Sequence, residues 1–136
     1  MADSNNGAIP NDAGLLRRIH PDLVTPDKNL GRSRPMTGAF LGKDKELSVD
    51  AEPILRQHGL DLSFSLRNWP NFSLARFRAG DARAKGLRVV HDPCPEEQPD
   101  NPAHTLVIGA TRSIAQALAC ACEWPVELSG QEPQRD

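Results

Sequence analysis

The sequence predicts an α+β fold, with a small, mostly antiparallel sheet, two or three short helices and a C-terminal helix packed on the sheet. The chain has 136 residues, a common length for one domain. Its 12 prolines and 10 glycines favour many turns between short elements. The last third shows two β-branched segments and then one amphipathic segment, a pattern typical of strand, strand and helix.

The first half of the chain predicts one hairpin and one helix. Residues 1–12 are polar and lack an apolar period, so we expect a disordered tail there. Residues 20–35 are expected to form a loop, and residues 37–49 a β-hairpin around a polar turn. Asp50 is the predicted N-cap of a helix of about two turns, which Gly59 ends.

The middle of the chain predicts two strands and one turn of helix. Apolar and polar residues alternate over residues 60–66, which favours an extended segment. Residues 72–77 predict a second strand. Asp81 is a candidate cap for a one-turn helix that Gly86 ends.

The last third has the clearest pattern. Residues 87–91 and 104–108 predict strands, separated by an acidic loop rich in proline. Ser113 and Gln116 have the spacing of a capping box, which predicts a helix from there to about residue 124.

The organisation predicted from these elements is a single α+β domain over residues 13–128, with disordered tails at 1–12 and 129–136. No apolar run reaches the ~18 to 20 residues that span a bilayer, so no membrane association is expected. Three cysteines do not make a disulfide framework, which favours a cytoplasmic location with reduced thiols.

Two of the cysteines, Cys120 and Cys122, lie in the predicted C-terminal helix. At about 100° per residue their side chains point about 200° apart, so they cannot share one metal ion. We therefore expect them to act as small apolar side chains.

A histidine pair forms the first candidate site. If the two last strands pair in an antiparallel way, His91 and His104 meet at the loop end, with Asp92 and Cys94 beside them. Zinc takes nitrogen, sulfur and oxygen ligands, so the predicted metal ligands are His91, Cys94 and His104. Zinc is the one cofactor for which the sequence gives an argument.

The same imidazoles could instead act as a general acid and a general base, because histidine titrates near neutral pH. In that hypothesis His91 and His104 are catalytic, Asp92 orients one ring and Arg34 holds an anion. The simpler alternative is that His104 anchors the loop by a hydrogen bond to the backbone.

A basic segment forms the second candidate site. Between residues 67 and 88 there are six positive charges and one acid. Guanidinium groups interleaved with rings are typical of surfaces that bind single-stranded nucleic acid. The predicted nucleic-acid-binding residues are Arg67, Trp69, Arg76, Arg78, Arg83 and Arg88. The alternative is that the rings fill the core and the arginines face solvent.

Short motifs add a resemblance. The segments Gly31-Arg-Ser-Arg-Pro35, Gly38-Ala-Phe40, Leu47-Ser-Val49 and Asn101-Pro-Ala-His104 with Val107-Ile-Gly109 resemble a group of short, uncharacterised bacterial proteins. The resemblance implies a bacterial accessory protein and carries no activity or cofactor.

The function predicted first is therefore a small intracellular binding or accessory module. It would act through a protein partner or a nucleic acid, because the sequence has neither a phosphate-binding glycine loop nor a serine nucleophile motif. The alternatives are a compact enzyme that uses His91 and His104, and a zinc-stabilised domain.

Overall fold

The computed structural model describes residues 9–94 and 100–128. Its strands are β1 (Gly14–Ile19), β2 (Val24–Asp27), β3 (Arg32–Pro35), β4 (Glu46–Ala51), β5 (Ser73–Arg78), β6 (Arg88–His91) and β7 (His104–Ile108). Its α-helices are α1 (Glu52–Gln57), α2 (Ala79–Ala84) and α3 (Arg112–Ala121). Two short 3-10 helices cover Thr37–Phe40 and Leu62–Leu66.

Five strands form one sheet in the order β5-β1-β4-β7-β6, and β2 and β3 form a separate hairpin. Within residues 9–94 and 100–128, every strand pair is antiparallel. The C-terminal helix α3 buries Ala115 and Leu118 in the core. The predicted α+β fold with a mostly antiparallel sheet is confirmed.

One face of the sheet is the main core. Leu15 of β1, Phe77 of β5 and Val107 of β7 are all buried on it. The first 3-10 helix places Phe40 edge-on against Phe77, with ring centroids 5.9 Å apart. Both rings are thus excluded from water together, within a core that otherwise consists mainly of aliphatic side chains.

The opposite face is partly covered by the second 3-10 helix. Leu16 and Asp50 lie opposite each other on this face, and both are almost completely buried. Ser65, from the 3-10 helix, is buried above them and donates a hydrogen bond to Asp50. This face therefore combines apolar packing with a buried carboxylate.

The hairpin predicted over residues 37–49 is wrong. Its first half is helical because Phe40 must reach the core, and its second half is β4, which pairs with β1 and β7. The polar turn is kept, since Asp44 and Lys45 have φ of 57° and 63° and residues 43 and 46 form a bridge.

Two further predictions are corrected. Residues 62–66 form the second 3-10 helix rather than a strand, because the carboxylate of Asp61 accepts a hydrogen bond from the backbone N–H of Ser63 and begins a helical turn. Residues 20–35, predicted as a loop, contain the hairpin of β2 and β3.

The caps also differ from the sequence prediction. Ala51, not Asp50, precedes α1, and Asp50 belongs to β4. Thr111 caps α3 in place of Ser113, and this helix ends at Ala121, before residue 124. Pairing to β7 takes precedence over capping for Asp50, since its side chain is satisfied inside the fold.

Several predictions are confirmed as strands or helix ends. The predicted strands at 72–77, 87–91 and 104–108 correspond to β5, β6 and β7. Gly59 and Gly86 follow α1 and α2 with φ of +70° and +87°, the left-handed region that glycine adopts without strain.

The chain ends were predicted as tails over residues 1–12 and 129–136. Residues 1–8 and 129–136 lie outside the described residues. Within the described part of the N-terminal tail, Ile9 is fully buried in the core. Among the described residues, no helix is both long enough and apolar enough to cross a lipid bilayer.

Candidate metal centre

The loop between β6 and β7 returns the chain so that the two strands pair in an antiparallel way, as predicted. The register sets His91 opposite Thr105, and His104 opposite Asp50 on the next strand. Adjacent residues of a strand point to opposite faces, so His91 and His104 lie on opposite faces of the sheet. The prediction that the two imidazoles lie side by side is wrong, because His91 pairs with Thr105, the residue after His104.

His91 instead anchors the end of the loop. Its Nε2 lies 2.7 Å from the carbonyl oxygen of Pro102. A carbonyl oxygen only accepts, so Nε2 carries the hydrogen and donates it. The anchoring role expected for a histidine in this region falls to His91 as well as to His104. The catalytic pair of the enzyme hypothesis has no geometric basis.

Three polar contacts connect His104 with Asp92. Its Nδ1 lies 2.8 Å from the Asp92 carbonyl oxygen and 3.3 Å from Oδ2 of the same residue. In return, the backbone N–H of Asp92 donates to the carbonyl oxygen of His104 at 2.8 Å. The imidazole is only 10% exposed and the carboxylate 51%, so the pair has one buried and one open side.

Cys94 joins this pair through the backbone. Two hydrogen bonds link Cys94 and Asn101 across the loop, with N···O distances of 2.9 and 3.0 Å. The Cys94 Sγ lies 3.7 Å from the Asp92 carbonyl oxygen. As a result, one ligand atom from each of Asp92, Cys94 and His104 lies within 4.8 Å of the other two.

These donors fit zinc by type and nearly by distance. Zinc is bound by carboxylate oxygen, thiolate sulfur and imidazole nitrogen. A tetrahedral ion with bonds of roughly 2.0–2.3 Å holds its ligand atoms roughly 3.3–3.8 Å apart. The separation of Nδ1 and Oδ2 is already 3.3 Å. The half-exposed Asp92 carboxylate has room to adjust. Zinc binding through Nδ1 would require this nitrogen to lose its hydrogen and its present hydrogen bond to the Asp92 carbonyl oxygen.

Asp50 supports the cluster from inside the sheet. It is 1% exposed and lies directly across from His104. Its Oδ1 accepts a hydrogen bond from Asn101 Nδ2 at 2.8 Å, and its Oδ2 accepts one from Ser65 at 2.6 Å. The guanidinium of Arg18 approaches the same carboxylate at 3.7 Å.

Sequence reasoning missed this support because Asp50 had the position of a helix cap. One signal was available: Asn101 stands three residues before His104 in the motif that carries the resemblance. Asn101 also accepts a hydrogen bond from the N–H of Ala103 at 3.1 Å, which holds the chain just before His104. The asparagine thus links Asp50, Cys94 and β7.

Arg34, the predicted anion clamp, lies in the β2–β3 hairpin. Its Nε donates to Asp27 Oδ2 at 2.6 Å, and Nη1 donates to the carbonyl oxygen of Pro35. The hydrogen bond from Arg34 lowers the pKa of Asp27. Neither of these contacts of Arg34 within the described residues involves His91 or His104, so the geometry does not support a site shared with them.

The predicted basic strip is not assembled on one surface. Arg76 and Arg78 lie on β5 and Arg88 lies on β6, which are the two opposite edges of the sheet. Arg76 is held by two carboxylates, with Nη1 2.7 Å from Glu52 and Nε 2.9 Å from Glu123. Its charge is compensated inside the protein.

The remaining members of the strip are engaged with protein groups. The guanidinium of Arg67 lies 3.9 Å from the centre of the Phe64 ring, and that of Arg18 lies 3.8 Å from the Trp69 ring. Arg83 donates to the side chain of Asn11 at 2.7 Å. Cation–π contacts of this kind cover the ring faces on which nucleic-acid bases would stack.

Comparisons with known proteins found no matching family model, no matching curated protein and no matching solved structure. The likeness to short bacterial proteins therefore stays a prediction.

Proposed function

We propose that this chain is a zinc-binding domain in which Asp92, Cys94 and His104 hold the ion. The observation that carries the proposal is the convergence of three chemically different donors, all within 4.8 Å of one another. A carboxylate, a thiol and an imidazole form a mixed set that matches the preferences of zinc better than those of calcium or magnesium, which favour oxygen.

The way the donors are positioned supports the proposal. His104 lies on β7, next to the buried Asp50, and Cys94 is bridged to Asn101. Backbone hydrogen bonds thus hold both donors, whereas the Asp92 carboxylate is half-exposed. A half-exposed carboxylate leaves one side of the cluster open for an ion to enter from solvent.

The chemical role of such an ion follows from the donor count. Three protein ligands leave the fourth position of a tetrahedral zinc ion to a solvent molecule or to a group from a partner. The ion would also join the end of β6 to the start of β7. This agrees with a binding or accessory module, because a metal-held loop keeps one shape when it meets a partner.

The test is titration of the full chain with Zn²⁺ in competition with a chromophoric chelator. We expect one ion per chain, and at least tenfold weaker binding for Cys94→Ser and for His104→Gln. The matched controls are Cys120→Ser and His58→Gln, which change the same residue types outside the cluster. Their affinity should equal that of the natural sequence.

Cobalt(II) gives an independent readout of the ligands. A thiolate-to-cobalt charge-transfer band should appear with the natural sequence and vanish with Cys94→Ser. The absence of metal binding, or binding that neither Cys94→Ser nor His104→Gln weakens, would overturn the proposal.

A further inference from the structure

A cavity of about 500 Å³ opens between β5, α2 and the last turn of α3. Its strand β5 is separated from β7, the strand of His104, by β1 and β4. Phe77, Leu118 and Cys122 form an apolar floor, and all three are buried. A volume of roughly 300–1,000 Å³ is typical of sites for small molecules. Seven of the twelve lining residues are charged, so the apolar floor is surrounded by a polar wall.

One arginine in the wall is already neutralised. Arg76 donates from Nη1 to Glu52 at 2.7 Å, and from Nε and Nη2 to the carboxylate of Glu123 at 2.9 and 3.0 Å. Two carboxylates thus face one guanidinium. Arg76 therefore shapes the wall of the cavity and has little charge to offer a ligand.

Four other charged side chains in the wall differ from Arg76 in their exposure and contacts. Asp12, Arg78, Asp81 and Lys85 all line the cavity and are exposed. Across residues 9–94 and 100–128, none of these four side chains makes an ion pair or a side-chain hydrogen bond. Two positive and two negative side chains of the wall are therefore exposed to a ligand, and the group of Arg76, Glu52 and Glu123 adds one net negative charge.

The wall depends on two glycines at close contacts. The N–H of Gly80 donates to the carbonyl oxygen of Asn11 at 2.8 Å, and a Cβ at position 80 would lie 2.9 Å from that oxygen. This contact brings the segment of Asp12 against the start of α2, which carries Asp81. A Cβ on Gly14 would lie 2.8 Å from Arg76 Cδ and would displace Glu52.

We propose that this cavity binds a small zwitterion with an apolar side chain, of the class of the aliphatic amino acids. Asp12 and Asp81 would receive the ammonium group, and Arg78 and Lys85 the carboxylate. The apolar side chain would cover the floor at Phe77. The lining carries charges of both signs in nearly equal number, so a ligand with one ammonium and one carboxylate group complements it better than a ligand with a single charge.

The site is independent of the proposed zinc centre, because the two share no residue. The test is isothermal titration of the full chain with L-leucine and two analogues of the same shape. 3-Methylbutylamine lacks the carboxylate, and 4-methylpentanoate lacks the ammonium group. We expect leucine to bind and each analogue to bind at least tenfold more weakly.

Variants locate the binding in the cavity. Arg78→Gln and Asp81→Asn each remove one exposed charge and should weaken leucine binding about tenfold, roughly the effect of one lost charged hydrogen bond. Arg112→Gln, at the other end of α3, is the matched control and should bind like the natural sequence.

Three results would overturn the proposal. One is no leucine binding at millimolar concentration, the second is equal binding of all three compounds, and the third is undiminished binding by Arg78→Gln and Asp81→Asn. Repeating the titration with the Cys94→Ser variant separates this site from the zinc centre, since leucine binding should be unchanged there.

Discussion

The carboxylate of Asp50 accepts a hydrogen bond from the side-chain amide of Asn101, 51 positions further along the chain, at 2.8 Å. The other carboxylate oxygen accepts from Ser65. All three residues are buried. The carboxylate of Asp50 on β4 thus connects this strand with the second 3-10 helix and with the loop before β7. A buried charge is tolerated only where such partners surround it.

We expect Asp50→Ala to destabilise the protein by about 3 kcal/mol, because it leaves the buried donors of Ser65 and Asn101 without an acceptor. The measurement is the free energy of unfolding in urea. Asp61→Ala is the matched control, since Asp61 is an exposed cap of a short helix and its loss should cost about 1 kcal/mol. An Asp50→Ala effect no larger than that of Asp61→Ala would contradict the assigned role.

Zinc should raise the thermal stability of the protein. An ion that binds only the folded state adds about 2.7 kcal/mol when its free concentration is a hundred times Kd. The midpoint temperature of thermal unfolding should rise when Zn²⁺ is added and fall back to its starting value when a chelator removes the ion. In the His104→Gln variant, Zn²⁺ should leave the midpoint unchanged. The His58→Gln variant should still respond, because His58 is an exposed residue at the end of α1 and does not belong to the cluster. A zinc effect that persists in His104→Gln would count against the site.

Two glycines give a paired test of the cavity wall. A Cβ on Gly14 would displace the Glu52 carboxylate from Arg76, whereas a Cβ on Gly38 meets nothing within 4 Å. We expect Gly14→Ala to cost about 1–3 kcal/mol of stability, as overpacking does. Gly38→Ala should change stability by less than about 0.5 kcal/mol, as surface substitutions do. Urea unfolding of both variants checks the difference, and equal effects would contradict the packing at Gly14.

The Cys122 thiol should be unreactive in the folded protein. Burial raises its pKa to about 11, so the neutral form prevails at pH 8. A thiol-specific reagent at that pH should modify Cys122 only after unfolding, because the thiolate is the reacting form. Mass mapping of the modified cysteines checks this, and rapid modification of Cys122 in the folded state would contradict it.

The same shift predicts how stability depends on pH. The folded pKa lies above the value of about 8.5 for an unfolded thiol, so the contribution is complete below pH 8.5 and is lost as the pH rises toward 11. Cys122→Ala removes this titration, so its stability should fall less steeply over that range. Parallel urea unfolding curves of the two proteins at pH 8 and pH 10 measure the difference in slope.

Much of the fold was predictable where the signal is local. Gly59 and Gly86 ended helices because glycine adopts positive φ without strain. The strands at 87–91 and 104–108 followed from β-branched runs, and their pairing from the loop between them. The small apolar role expected for Cys122 agrees with its burial.

The candidate site was only partly predictable. Asp92, Cys94 and His104 were named from the sequence and are brought together by the loop. His91 was named with them, but the strand register places it on the other face. Asp50 was assigned to a helix cap, because an aspartate before a helical segment has that local preference.

The sequence by itself determined the class of fold, the places where the chain turns and the residue types available for metal binding. These depend on propensities and periodicities that act over a few neighbouring residues. Only the tertiary structure decided that Phe40 and Ser65 lie in 3-10 helices, that Asp50 is buried and that His104 faces away from His91. The physical reason is that strand register and burial are decided by which distant segments exclude water together, and a shift of one residue reverses every face.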